Sequence, residues 1–254
     1  MDTKLVLQKE IIRSRFENGF KTYNDQAIVQ EHVAQKLVEY MSILPNDFNK
    51  VLEVGAGTGI LTRALLDSPL KINQYEVNDI VVSMFPAIAS LIAKKGVKHI
   101  IENMGDIEEI SLMSNSSLIV SSSVFQWVQD MPALLDKFSH SQDSGDYLAF
   151  ATYTQGTFNE FHQASGVGLD YLEASAIRDM LERDYEIICE NSEVCMLDFD
   201  SPRDVLLHIQ KTGVNGLGVT WKKSQYLQFL ANYPSMNEKY KLTYIPTYFI
   251  AKRK

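Results

Sequence analysis

The stretch "KVLEVGAGTGILTRAL", residues 50–65, limits the fold more than any other part of this 254-residue chain. An apolar run with β-branched members, Val51, Leu52 and Val54, ends at three glycines, Gly55, Gly57 and Gly59, spaced GxGxG. A helical pattern, Ile60, Leu61, Ala64 and Leu65, follows at once. A strand that runs through a bare turn into a helix opens a nucleotide-binding βα unit, because the turn lets a ligand approach the N–H groups at the helix start.

The flanking periodicity agrees. Residues 1–24 read as a helix, and Ile28, Val29, Val33, Leu37, Val38 and Met41 form the apolar face of a second one that stops at Pro45. After the glycine turn come strand "INQYEV", a helix capped by Asn78 and running to Lys95, strands "VKHIIE" and "SLIVSS", a helix over 130–139 and strand "DYLAFATY". Strands this apolar are covered on both faces, which predicts a parallel sheet between helices.

Beyond Tyr153 the rhythm changes. "GTFNEFHQA" reads as a short helical insertion, and Ile177, Met180, Leu181 and Tyr185 share one helical face. Strand material, "EIICENSEVCMLDF", precedes a basic helical stretch from Pro202, and "LTYIPTYFIAKR" closes the chain. The helical stretch separates two strands that would otherwise form a hairpin, which predicts a cap over the ligand edge of the sheet. The expected organisation is one α/β domain: N-terminal helices over 1–44, a core over 45–200 and 242–254, and cap insertions near 155–168 and over 201–241.

Three acids narrow the ligand. The third glycine of a dinucleotide fingerprint is replaced by Ile60, and no lysine follows Gly59 as a P-loop requires. Glu53, two residues before the turn, would repel a pyrophosphate and suits a ligand with an ammonium and a sulfonium, S-adenosylmethionine. Glu76 ends the second strand, 21 residues after Gly55, where a carboxylate accepts from ribose hydroxyls. Asp106 follows the third strand and is placed to accept from the adenine amino group, with Ile107 over the ring and Ser121 at the end of the fourth strand. Over roughly residues 45–152 the chain resembles the class I methyltransferases. That resemblance implies a Rossmann-like, mostly parallel seven-stranded sheet with helices on both faces, and S-adenosyl-L-homocysteine as the product.

The acceptor is approached by exclusion. Where amino methylation of bases calls for [DNS]PP[YF], this chain reads "SSSVFQW"; both cysteines, Cys189 and Cys195, lie far downstream; and no His and acid cluster calls for a metal. Small-molecule or acyl acceptors are left. "YNDQAIVQEHVAQKL", "SSSVFQWVQD", "ATYTQGTFNEFHQA", "SPRDVLLHIQKTGVNGLG" and "YKLTYIPTYFIAKR", spread over nearly the whole chain, resemble the malonyl-acyl-carrier-protein O-methyltransferases of biotin synthesis. The resemblance implies methylation of the free carboxyl of a malonyl thioester. A malonyl carboxylate is already ionised at neutral pH, so alignment and exclusion of water do the work and no general base is needed. By position Gln126 and Trp127 line the acceptor side, and Tyr23 and Gln30 close over the cofactor. Some relatives carry an Arg before an aromatic-Leu pair where this chain has Asp170 before Tyr171 and Leu172.

Charge is segregated. The chain carries −8 overall, yet residues 203–254 hold nine Lys and Arg against two acids, a net +7. A nucleic-acid binder spreads a larger basic excess over its domain. An acidic acyl carrier protein fits better, docked on Arg203, Lys211, Lys222, Lys223 and Lys241. No apolar run approaches the ~18 residues of a membrane helix, and the N-terminus lacks the basic and apolar blocks of a leader, so a cytoplasmic protein is expected. Cys189 and Cys195 read as small core residues, and His162 and His208 as core or rim residues rather than bases. Two alternatives stay open: a methyltransferase for a free small carboxylic acid, and a regulator that senses S-adenosylmethionine without catalysis.

Overall fold

Strand β1 (Asp47–Val54) is buried without interruption from Lys50 to Val54, as a strand covered on both faces must be. The computed structural model describes residues 9–10, 13–14, 16–17, 27–113, 115–212 and 221–254. Before β1 lies helix α1 (Ile28–Tyr40), with Val29, Val33 and Leu37 buried. After it the chain alternates through α2 (Ile60–Asp67), β2 (Lys71–Asn78), α3 (Phe85–Lys94), β3 (His99–Glu102), β4 (Leu118–Ser122), α4 (Met131–Ser141) and β5 (Tyr147–Tyr153). There follow α5 (Asn159–Ser165), α6 (Ala174–Leu181), β6 (Tyr185–Ser192), β7 (Cys195–Phe199), α7 (Pro202–Lys211), α8 (Lys223–Asn232), β8 (Ser235–Met236), β9 (Lys239–Tyr244) and β10 (Pro246–Arg253).

Seven strands form one sheet in the order β3-β2-β1-β4-β5-β10-β6, and within it only β10 runs antiparallel to its neighbours. The order reverses between β1 and β4, so a crevice opens at their carboxyl ends, the place where open α/β sheets take ligands. Inside the apolar runs the side chains still alternate. Val51, Tyr75, Val77, Leu118, Val120, Ala149 and Ala151 pack with α1, α2 and α3 on one face. Leu52, Val54, Ile119, Leu148 and Phe150 pack with α4 and α6 on the other.

Local signals set several helix starts. Asp130 accepts the Ala133 N–H at 3.0 Å ahead of α4, and Ser201 accepts the Asp204 N–H at 3.2 Å ahead of α7, with Pro202 in the first turn. Such caps contribute about 1 kcal/mol each. The expected cap at Asn78 is corrected: Asn78 is the last residue of β2, its Nδ2 donates to the carbonyls of Asn103 and Gly105, and α3 begins at Phe85 after a 3-10 turn, Val82–Met84.

The two strand segments that flank the insertion do pair. β6 and β10 are antiparallel in the main sheet, and the same two segments continue as β7 and β9, antiparallel in a separate three-stranded sheet β7-β9-β8. At the bend the Glu193 N–H donates to the Pro246 carbonyl at 3.1 Å. The insertion of α7 and α8 therefore leaves from the far end of a continued hairpin. It is fastened to α5 by an aromatic group in which Phe229 meets Phe161, Trp221 and Tyr233 with ring centres 5.5, 4.8 and 5.3 Å apart. Burying rings of this size in offset and edge-on pairs contributes beyond their area.

Candidate functional site

The glycine turn is held from below by the end of β2. The N–H groups of Gly55 and Ala56 both donate to the Asn78 carbonyl at 2.9 Å, and the Gly57 N–H donates to Asp79 Oδ2 at 2.7 Å. Each glycine has its own reason. At Gly55 (φ +73°) a Cβ would meet Val124 Cγ2 at 2.2 Å, so the β1 and β4 loops touch. At Gly57 (φ +51°) a Cβ would find no atom nearer than 4.0 Å and would stand in the cavity that the turn borders. Gly59 does not line that cavity; a Cβ there would meet Ile88 and Leu91 of α3 at 3.0 Å, so it takes the helix-packing task expected of a later glycine.

The acids divide differently from the sequence expectation. Glu76 is corrected: it is fully buried, with Lys50 Nζ at 2.7 Å from Oε2 and Asn103 Nδ2 donating to Oε1 at 2.6 Å, and it does not line the cavity. Strand parity turns it toward the face of Leu52, where Lys50 needs a counter-charge. The acid that reaches the cavity after β2 is Asp79, which sequence reasoning missed; Oδ1 accepts the Val81 N–H at 2.8 Å, and burial raises its pKa against the pull of its two N–H donors. Glu53 lies behind the turn rather than on the cavity surface. Its Oε2 accepts from Thr62 at 2.7 Å and from Tyr75 at 2.6 Å, its Oε1 is a buried oxygen without a partner, and desolvation lifts its pKa to about 7. Asp106 and Ile107 line the cavity as expected, joined by Glu108. Lys9 reaches in from the N-terminal segment, its Nζ 2.5 Å from Asp106 Oδ2 and in contact with Glu108.

The fourth wall is the loop after β4. Ser121 is corrected by one residue: its hydroxyl donates to the Val54 carbonyl at 2.9 Å inside the sheet, and the cavity is lined by Ser122 and Ser123 instead. A slip of one residue along a strand reverses the face. Gln126 does not line the cavity either. Its Nε2 donates to the Ser123 carbonyl at 2.7 Å and its Oε1 accepts from Thr152 at 3.2 Å, so it ties the loop to β5. Trp127 does line it, edge-on to Phe16 with ring centres 6.0 Å apart. Gln30 of α1 is on the wall as expected, buried, with Oε1 unpartnered. Tyr23 lies outside the described residues.

The chain carrying this crevice is similar to known proteins. A family profile described as a methyltransferase domain fits residues 26–205. The malonyl-[acyl-carrier protein] O-methyltransferase of Chlorobium phaeovibrioides is 32% identical over 98% of this chain and 98% of its own, and that of Calditerrivibrio nitroreducens 33% over 95% and 96%. The chain belongs to this methyltransferase family. The fold recurs in the YcgJ protein of Bacillus subtilis (TM-score 0.63, 12% identity, 88% of this chain and 99% of that one). It recurs also in the N-methyltransferase NodS of Bradyrhizobium japonicum in complex with S-adenosyl-L-homocysteine (0.51, 14%, 87% and 85%). At such identities these two structures speak for the fold alone.

Away from the cavity, the basic residues of this methyltransferase are not equivalent. Arg203, Lys222 and Lys223 are exposed and Lys211 is half-buried at the end of α7. Lys241 is 2.9 Å from Asp198 Oδ1, so its charge is largely spent, as Lys239 is on Asp200 at 2.5 Å. His208 is buried, 2.8 Å from the Tyr244 hydroxyl, and burial with Lys211 nearby lowers its pKa to about 4. Cys189 and Cys195 are half-buried at the core margin rather than inside it. Cys195 lies beside His32 and Glu193, where Glu193 Oε1 is shared by His32 at 3.0 Å and the Tyr248 hydroxyl. No helix among the described residues is long and apolar enough to cross a membrane.

Proposed function

We propose that this chain methylates the free carboxylate of malonyl-acyl carrier protein with S-adenosylmethionine, an early step of biotin synthesis carried out in the cytoplasm. The observation that carries this is near-complete coverage by relatives of that name at 32–33% identity, around an intact crevice. The cavity residues fit the cofactor. Gly57 leaves room that a Cβ would fill, and a buried oxygen without a partner on the wall, Gln30 Oε1, suits an ammonium group.

In this reading Asp79 accepts the ribose hydroxyls, Asp106 accepts from the adenine amino group and Ile107 covers the ring. The cofactor supplies a methyl group on a sulfonium. The residues around it align an acceptor oxygen with that methyl and keep water out; Ala34, Leu61, Val81, Met84, Val124 and Trp127 make much of the wall apolar. No residue has to remove a proton, because the acceptor is already a carboxylate. Arg203, Lys211, Lys222 and Lys223 offer an acidic carrier protein a docking surface.

The test is incubation of purified protein and S-adenosylmethionine with malonyl carrier protein, acetyl carrier protein and free malonate, followed by intact-mass spectrometry. Addition of one methyl to the malonyl carrier alone is expected. Methylation of free malonate at an equal rate would favour the small-acid alternative.

A further inference from the structure

The acceptor carboxylate needs hydrogen-bond donors, and the cavity wall shows which ones face it. Asp79 and Asp106 follow β2 and β3, so the adenosine end of the crevice lies on that side of β1. The reacting end lies on the other side, over the loop after β4. There the described lining residues are Ser122, Ser123, Val124, Trp127 and Val128, none of them a cation. The one cation among the described lining residues is Lys9, and its Nζ is already bound to both Asp106 and Glu108.

Two features of this loop go beyond packing. Ser122 Oγ is buried and has no partner, although a hydroxyl so placed ordinarily finds one. Ser123 is held at φ +60°, a conformation that costs a side-chain-bearing residue about 1 kcal/mol or more. Three bonds hold it: its N–H donates to the Ala151 carbonyl at 2.9 Å, its carbonyl accepts from Gln126 at 2.7 Å, and its hydroxyl donates to the Tyr153 hydroxyl at 3.3 Å. Strain maintained by so many contacts at a cavity wall points to a task for the residue.

We infer that the hydroxyls of Ser122 and Ser123, the second turning its proton from the Tyr153 hydroxyl to the ligand while Tyr153 donates to it in return, hold the acceptor carboxylate through neutral hydrogen bonds, and that the sulfonium of the cofactor is the positive charge that draws it in. The inference rests on the acceptor proposed above. It has a chemical rationale. A bidentate guanidinium would bind both carboxylate oxygens and withdraw charge from the attacking one. Neutral donors on the other oxygen fix its direction and leave the nucleophile electron-rich. They also make discrimination depend on the donors being satisfied, since buried hydroxyls left without an acceptor are costly.

The experiment compares wild type with Ser122→Ala, Ser123→Gly, the double variant and Tyr153→Phe, measuring KM and kcat for malonyl carrier protein, S-adenosylmethionine affinity by calorimetry, and thermal midpoints. Ser123→Gly removes the hydroxyl while relieving the strain, so a folding defect is not expected to mimic the effect. The expected result is a KM about tenfold higher in each serine variant, a smaller rise in Tyr153→Phe, cofactor affinity unchanged, and recovery in Ser122→Thr. An unchanged KM overturns the inference, as does a parallel loss of cofactor affinity, which would assign the hydroxyls to the cofactor. Wild type that binds S-adenosylmethionine but methylates no malonyl carrier would instead overturn the proposed function.

Discussion

Asp79 and Gly57 are joined by a 2.7 Å hydrogen bond from the glycine N–H to the acid's Oδ2, so the acid after β2 and the middle of the glycine turn form one unit. Replacing Asp79 by Ala removes both the proposed ribose acceptor and the brace under the turn. S-adenosylmethionine affinity is expected to fall by about tenfold or more, charge-assisted bonds of this kind contributing roughly 1.5–3 kcal/mol. Asp79→Asn should lose less. Calorimetric titration checks both.

Glu76, by contrast, should matter for stability and not for binding. Removing one member of a buried pair leaves the other uncompensated and costs about 3–5 kcal/mol. Glu76→Ala and Lys50→Ala should each show this in urea unfolding, with unchanged cofactor affinity in whatever fraction stays folded. Joint replacement by Met and Leu should recover most of the loss.

The uses of the first two glycines separate cleanly. Gly55→Ala drives a methyl into Val124 at 2.2 Å and should lower the thermal midpoint strongly. Gly57→Ala meets no protein atom within 4.0 Å, costs about 1 kcal/mol of left-handed strain, and should abolish cofactor binding in a folded protein. Circular dichroism together with calorimetry distinguishes the two.

His208 predicts an acid-labile insertion. Its folded pKa of about 4 lies below the ordinary 6.5, so the unfolded chain binds the proton more readily. Stability from this group is complete above pH 6.5 and is lost as the pH falls toward 4, by up to about 3 kcal/mol. Glu53 works in the opposite sense: its carboxyl is raised to about 7, so its contribution is present below pH 4.5 and is lost as the pH rises toward 7. The two slopes oppose one another between these limits. Denaturant unfolding from pH 4.5 to 7.5 should therefore change little in wild type and show a clear fall with rising pH in His208→Leu.

Charge reversal at Lys222 and Lys223 should raise KM for malonyl carrier protein several-fold, less so at high salt, where exposed charges are screened. Lys241→Glu exchanges an attraction to Asp198 for a repulsion, while Lys241→Ala should leave KM nearly unchanged because that charge is already paired. Steady-state kinetics at two ionic strengths reads the difference.

The strand and helix alternation was legible because covered strands leave long apolar runs and each helix shows one buried face. What misled was parity and length. β2 runs on through Asn78, so Glu76 is inside the sheet, while Asp79 stands just past its end. A signal was present: Lys50 in an apolar strand requires a carboxylate partner, and Glu76 answers it. Ser121 and Ser122 differ by one step in a strand, and a run of three serines hides which step faces the crevice. Gln126 was placed by its neighbour Trp127; an amide with one donor and one acceptor already engaged tells its position only in three dimensions. Lys9 and Phe16 carried no periodic mark that tied them to a crevice formed by residues far along the chain.

The continued hairpin has an implication for how this protein tolerates change. Since β6 with β10 and β7 with β9 are the same two segments, everything from α7 to β8 hangs from one end of a ladder whose other end is locked in the main sheet. Outside the residues packed on α5 and the core, such as Phe229 and Val205, length and composition in that excursion can change without moving the crevice.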